Sequence, residues 1–270
     1  MRVRLWFTGY ETGVMIREPD FGAEANEIYG EALDAMKRAG IRYMLGGAVA
    51  LNAYTGIWRD TKDLDVLVPK QDVARVLETL QAAGFETEIE DPCWLAKARK
   101  GSLFADIIHG NHNAAVFVEE SWFANAREAE VLGRWVLVVP IEELILSKIF
   151  VAFRDRWDAS DVLHLVFATG GDLDWDRIVA GMGEHWEFLL AYLHIYRYVY
   201  PSHVHHLPGR ILELLRERYE EEAEAAPEDS LRFRGTMLDD SSFEVDVEAW
   251  GLPDERATNR RARCPEEERG

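Results

Sequence analysis

The chain has 270 residues, of which 48% are hydrophobic and 29% charged, and 49 acidic against 30 basic residues give a net charge of −19. That length buries a core without staples and fits one large domain or two small ones. The acidity disfavours extended contact with DNA or RNA, which needs a basic face, and no run reaches the ~18 uninterrupted apolar residues of a membrane span.

In chain order, residues 1–22 have no clear period and read as an N-terminal arm or added strand. Met1 to Phe7 lacks a signal-type apolar core, so the cytoplasm is the default compartment. Ala23 to Arg38 repeats Ile28, Leu33 and Met36 at helical spacing and stops at Gly40. Ile41 to Leu45 reads as a strand, Ala48 to Tyr54 as a short helix, and Leu64 to Val68 as a strand closed by Pro69. A helix over Gln71 to Ala83 ends at Gly84, and strands follow over Phe85–Ile89, Leu103–Ile108 and Trp135–Val139. This alternation gives an α+β fold, a small mixed β-sheet backed by helices, over residues 23–139.

After Pro140 the pattern turns helical: 141–154, 158–168, 175–182, 187–200 and 207–225, a C-terminal bundle spanning 140–226. Tyr192, Tyr196, Tyr198 and Tyr200 space as a packed helix face rather than a ligand stack. Residues 227–270 form an acidic, arginine-rich tail; 230–252 are expected to pack and 253–270 to be disordered. Cys93 and Cys264 form no framework, and Cys93 reads as a half-buried thiol. His194, His203, His205 and His206 lack the companion ligands of a zinc site and read as a solvated loop cluster.

One stretch carries chemistry. Gly46 and Gly47 follow an apolar strand and precede a helix, which leaves room for phosphate to approach backbone N–H groups. Asp63 and Asp65 then open the next apolar strand, where i and i+2 project to one side. Two carboxylates side by side repel unless a cation lies between them, and oxygen ligands of this kind suit Mg²⁺ with substrate phosphates. Asp106 sits inside a further apolar strand, either as a third carboxylate or as a buried acid paired with an arginine. A phosphate cradle followed by metal-binding acids reads as phosphoryl or nucleotidyl transfer.

This arrangement resembles the nucleotidyltransferase superfamily that includes DNA polymerase β. Gly46-Gly47, a short helix, Asp63-Leu64-Asp65 on a strand and Asp106 on a later strand match its pattern. Within it the chain looks closest to the minimal and AbiEii-like bacterial proteins, which include toxins of toxin–antitoxin pairs and antibiotic-modifying enzymes. The likeness covers roughly residues 24–170.

It implies that Asp63, Asp65 and Asp106 hold two Mg²⁺ ions, and that Asp106 helps activate an acceptor hydroxyl. It further implies nucleotide phosphates, ATP by default, near Gly46, Gly47, Thr61 and Lys62, with Lys62 equally readable as a solvated charge. Glu143, Lys148, Arg154, Asp155, Asp158 and Asp161 form a looser version of the AbiEii-like C-terminal motif. There Lys148 either meets phosphates or snorkels into an ion pair.

The expected activity is transfer of an NMP from an NTP to a hydroxyl of a small molecule, a protein or a tRNA end. A basic patch of Arg59, Lys62, Lys97, Arg99 and Lys100 is compatible with a nucleotide or a tRNA end. The alternative is a non-catalytic interaction protein of a toxin–antitoxin-like pair, against which the intact carboxylate set argues. A metal-dependent phosphohydrolase is a weaker third reading, without a His-Asp signature.

Overall fold

The computed structural model describes residues 19–59, 61–224 and 231–264. Most of the expected N-terminal arm therefore lies outside the described residues. The exception is Pro19–Phe21, where the Phe21 ring packs edge-on against Tyr29 and Trp58, with centroids 5.0 Å from each.

The elements follow in chain order as α1 (Ala23–Arg38), β1 (Met44–Leu45), α2 (Gly47–Thr55), β2 (Asp63–Leu67), α3 (Val73–Ala82), β3 (Glu86–Asp91), β4 (Leu95–Lys100) and β5 (Leu103–Ile108). Then come α4 (Glu120–Asn125), β6 (Arg127–Val131), β7 (Arg134–Val138), α5 (Ile141–Ile149), α6 (Ala159–Ala168), α7 (Trp175–Met182), α8 (Trp186–Val199) and α9 (Gly209–Glu224). Three short helices close the described chain: α10 (Gly235–Leu238), α11 (Glu244–Glu248) and α12 (Glu255–Arg263). The fold is α+β, a mixed seven-stranded sheet with many helices.

The strand order is β3-β4-β5-β2-β1-β7-β6. Parallel pairs join β2 to β5 and β1 to β7, and the other neighbours are antiparallel. Period two divides the sheet into two faces. Leu64, Val66, Ala96, Ala98, Ala105 and Ile107 are buried, and this face packs under α1 and α3. Asp63, Asp65, Asp106 and Lys97 alternate with them and belong to the other face. α1 forms as its spacing predicts, burying Tyr29, Leu33 and Met36, and Gly40 ends it at φ +64°.

Two strands escaped the sequence reading. β4 alternates alanine with Lys97 and Arg99, and β6 reads Arg-Glu-Ala-Glu-Val; both are poor in the β-branched and aromatic residues that mark strands. The helix expected over 141–154 stops at Ile149, after which Ala152 and Trp157 bridge across a tight turn.

α5 and α6 pack against α2 and against one another, and α7 and α8 complete the helical layer. Tyr192 and Tyr196 are buried in it, whereas Tyr198 is 87% exposed. His206 joins its edge, with Nδ1 2.7 Å from the Tyr196 hydroxyl. Among the described residues, no helix is long and apolar enough to cross a membrane.

The C-terminal segment departs most from expectation. Cys93 is not a half-buried thiol: it is fully buried and disulfide-bonded to Cys264, with Cα atoms 5.4 Å apart across 171 positions. Spacing in the sequence gives no sign of such a pairing. α12 also occupies part of the stretch that reads as disordered, where composition is a poor guide because the helix is held by specific bonds. Asp254 caps it through the Ala257 N–H, and Arg260 pairs with Asp91 at 2.9 Å. Residues 225–230 and 265–270 lie outside the described residues.

Candidate active site

Three acids meet on the open face of the sheet. The parallel register places Asp65 opposite Asp106 and Asp63 opposite Phe104. Asp63, Asp65 and Asp106 each offer a carboxylate oxygen within 4.8 Å of the others, the one such group of metal-capable side chains among the described residues. β4 brings Lys97 alongside in register with Asp106. Its Nζ is 3.9 Å from Asp106 but closer, at 2.9 Å, to Glu90. Asp106 Oδ1 is buried without a hydrogen-bond partner.

This arrangement is electrostatically uncomfortable. Burial first, then repulsion from Asp63 and Asp106, push Asp65 up to about 7. Burial likewise pushes Asp106 up to about 6, with Lys97 opposing and Asp63 adding to the rise. The donor set is all oxygen, one buried oxygen is orphaned, and the carboxylates repel. The residues present therefore fit a bound divalent cation.

The glycine pair has a packing reason of its own. Gly47 opens α2 at φ +49°, and a Cβ there would overlap the Asp65 carboxylate; one on Gly46 would overlap the Leu67 side chain. The Gly46 N–H donates to the Asp65 carbonyl at 3.0 Å, so the glycine turn and the acidic strand are locked together. The Thr61 hydroxyl donates to Asp63 Oδ1. Lys62 is exposed and does not line the cleft, while its carbonyl accepts from the Tyr29 hydroxyl at 2.7 Å.

The acids line a cleft of about 460 Å³, whose walls include Gly46, Gly47, Thr61, Lys148, Trp94 and Trp122. Lys148 reaches this cleft from α5 and is buried. Its Nζ lies 2.8 Å from Asp158 and 2.7 Å from Asp161. Asp161 also pairs with Arg59, and Asp158 accepts from Arg156 Nε at 3.1 Å. Burial alone would push Asp158 up, but Arg156 and Lys148 outweigh it and hold its carboxyl below the usual range. Of the looser C-terminal motif, Arg154 turns its backbone N–H to Asp239 at 2.8 Å, so Arg156 and not Arg154 stands beside Asp158.

Sequence reasoning missed Arg156, Trp94, Trp122 and the loop of residues 109–118. Arg156 carries a faint signal, an arginine two positions before an aspartate of the motif. The tryptophans carry none, because only the sheet order brings β3–β4 and α4 to the same cleft.

No curated protein matches the chain. Among solved structures it is similar to ANT(2″)-Ia in complex with adenylyl-2″-tobramycin, at 17% identity, covering 74% of this chain and 99% of that one, with a TM-score of 0.40. It is similar to the lincomycin-bound lincosamide antibiotic adenylyltransferase LnuA, at 18% identity, covering 54% and 98%, with a TM-score of 0.39. It is also similar to JHP933 from Helicobacter pylori, at 15% identity, covering 74% and 94%, with a TM-score of 0.39. The model of the family described as uncharacterised nucleotidyltransferase matches residues 22–201, from α1 to the end of α8, and the chain belongs to that family.

Proposed function

We propose that the chain is a divalent-metal-dependent nucleotidyltransferase that moves an NMP from an NTP to an acceptor hydroxyl. The observation that carries this reading is the convergence of Asp63, Asp65 and Asp106 oxygens within 4.8 Å, beside a glycine-opened helix.

Asp63, Asp65 and Asp106 would hold Mg²⁺, which when bound neutralises phosphate charge and clamps attacking and leaving oxygens. Gly47 keeps Asp65 against the start of α2, so the carboxylate is oriented before any ligand arrives. Thr61 fixes one oxygen of Asp63 by its hydroxyl and leaves the other for a cation. The free N–H groups of the first turn of α2 supply positive potential toward phosphate oxygens. Asp106, whose Oδ1 is buried without a hydrogen-bond partner, is placed to help activate an acceptor hydroxyl. Lys148 stands across the cleft as a cation for the triphosphate, and it would exchange part of its bonding to Asp158 and Asp161 when it engages.

Incubation with Mg²⁺ and each α-³²P-labelled NTP, alone and with cell extract, tests the reading. Label moving into an RNA, protein or small-molecule band is the expected result and names the acceptor class. No transfer, together with no thermal stabilisation by any NTP with Mg²⁺, overturns it.

A further inference from the structure

The loop of residues 109–118 forms one wall of the cleft through Gly110, Asn111, His112, Val116 and Val118. Its opposite side is held by the C-terminal segment. Asn259 Nδ2 donates to the Asn113 carbonyl at 2.9 Å, and Arg260 to that of His112 at 2.7 Å. Arg263 donates to the Ala114 and Ala115 carbonyls at 2.8 and 2.9 Å and lies over the Phe117 ring. Asn113 Nδ2 returns a bond to the Met237 carbonyl at 2.8 Å. Four successive carbonyls of the loop are thus satisfied from one helix.

The same segment spans to the helical layer. Asp239 accepts the Arg154 N–H, and Arg234 pairs with Glu184 at 2.9 Å. Arg260 also pairs with Asp91, which accepts the indole N–H of Trp94, a further residue of the cleft wall.

What it holds is strained. Ala114 adopts φ +57°, a left-handed conformation costly for a residue with a Cβ. Such a conformation persists only where its surroundings over-determine it. Those surroundings are a small buried cluster of Ala114, Cys93 and Cys264, flanked by Trp94 and Phe117. The disulfide joins the tip of the β3–β4 turn to the end of α12 through this cluster.

We propose that residues 231–264 are a strap, fastened by Cys93–Cys264, that holds the 109–118 wall of the cleft in shape, and that reduction of this disulfide releases the wall. Only the meaning of that wall as an acceptor-facing surface rests on the transferase reading; the strap itself does not. Release is a two-electron exchange with a dithiol. Its thiolate attacks one sulfur to give a mixed disulfide, and its second thiol displaces that sulfur. The dithiol leaves as its own disulfide, and Cys93 and Cys264 each gain a proton. Both cysteines are buried, so attack waits on the lifting of the end of α12. Disulfides persist in oxidising compartments and are reduced by cytosolic thiol systems, so a reducing compartment unfastens the strap.

The test uses the full chain, air-oxidised and then treated with dithiothreitol. Thiol titration should give no free thiol before treatment and two after. Hydrogen exchange should then accelerate at least about tenfold across 109–118 and 231–264, and not in β2 or α2. Trypsin should gain access to Arg260, Arg261 and Arg263 at the same time. Cys264→Ser should reproduce the reduced pattern; if it does not fold, the two redox states of the natural chain give the same comparison. Two free thiols in the oxidised protein, or equal exchange of 109–118 in both states, overturns the proposal. ATP with Mg²⁺ is added to both states in parallel. A strap that opens in a protein showing neither label transfer nor a thermal shift with any NTP and Mg²⁺ leaves this inference standing and removes the transferase reading.

Discussion

Two charged clusters line the cleft, and they are built on opposite principles. On the sheet, Asp63, Asp65 and Asp106 crowd together with Lys97 as a distant partner already engaged by Glu90. On α5 and α6, Lys148, Asp158 and Asp161 alternate in sign and are closed at each end by Arg156 and Arg59. The second cluster is complete: its buried charges have their partners, and removing one would strand the others at a high cost. The first is incomplete, and the folded chain holds it at a cost. Clusters that destabilise the protein without a ligand are where a ligand's charge is expected; clusters that satisfy themselves set the geometry around it.

That contrast is broken most directly at Asp63. Asp63→Ala or Asp65→Ala should lower NMP transfer by roughly 10²–10³-fold or more and abolish Mg²⁺-dependent nucleotide binding. Without Mg²⁺ the melting temperature should stay level or rise, because a repulsive carboxylate is gone. Retained transfer in either variant would sink the assignment. Lys148→Ala should do the reverse to stability. It strands Asp158 and Asp161 and should destabilise the fold by about 3 kcal/mol in denaturant unfolding, the arginines softening the loss.

Gly47→Ala sharpens the comparison, since it presses a methyl group onto Asp65 at a left-handed φ. A loss of about 1–3 kcal/mol is expected, with weaker Mg²⁺ binding. Gly84→Ala, with a left-handed φ but open space around it, should leave Mg²⁺ binding alone.

The last test is graded in pH. Asp65 and Asp106 bind protons more tightly folded than unfolded, rising from an ordinary 3.8 to about 7 and about 6. Their contribution to stability is therefore present in full below about pH 4 and is lost as the pH rises through 6 and 7. Through these two groups alone, the metal-free protein should melt on the order of 10 °C lower at pH 8 than at pH 5. Added Mg²⁺ should stabilise more at pH 8 than at pH 5, because the carboxylates must shed protons to bind it. A Mg²⁺ effect independent of pH would show that the ion binds elsewhere.

Much of this was legible in the sequence, for identifiable reasons. The α+β class follows from alternating periods, and the family resemblance from glycines and aspartates that local spacing already places around one turn. Asp106 was reachable because a carboxylate inside an apolar strand is costly unless used. What stayed hidden depends on pairing at a distance. Lys148 carries no mark that distinguishes a phosphate contact from an ion pair until Asp158 and Asp161 are seen on either side of it. Lys62 precedes the acidic pair and does not line the cleft, and its carbonyl accepts from Tyr29, a bond that its position in the sequence does not announce. β4 and β6 hide in alanine and glutamate, and no spacing rule joins Cys93 to Cys264.

The in-register pairing of β2 with β5 separates the acids from the chain that runs between them. Asp65 and Asp106 are brought together by backbone bonds between parallel strands, and everything from Pro69 to Ser102 is an excursion that leaves β2 and returns beside it. That excursion carries α3, β3 and β4 and brings Lys97 and Trp94 to the cleft, while the acids themselves are set by where β5 returns on β2. A shift of one position would turn Asp106 into the core. The three acids are thus anchored to a register, while the outer strands β3 and β4, with Trp94 between them, contribute a separate part of the cleft wall.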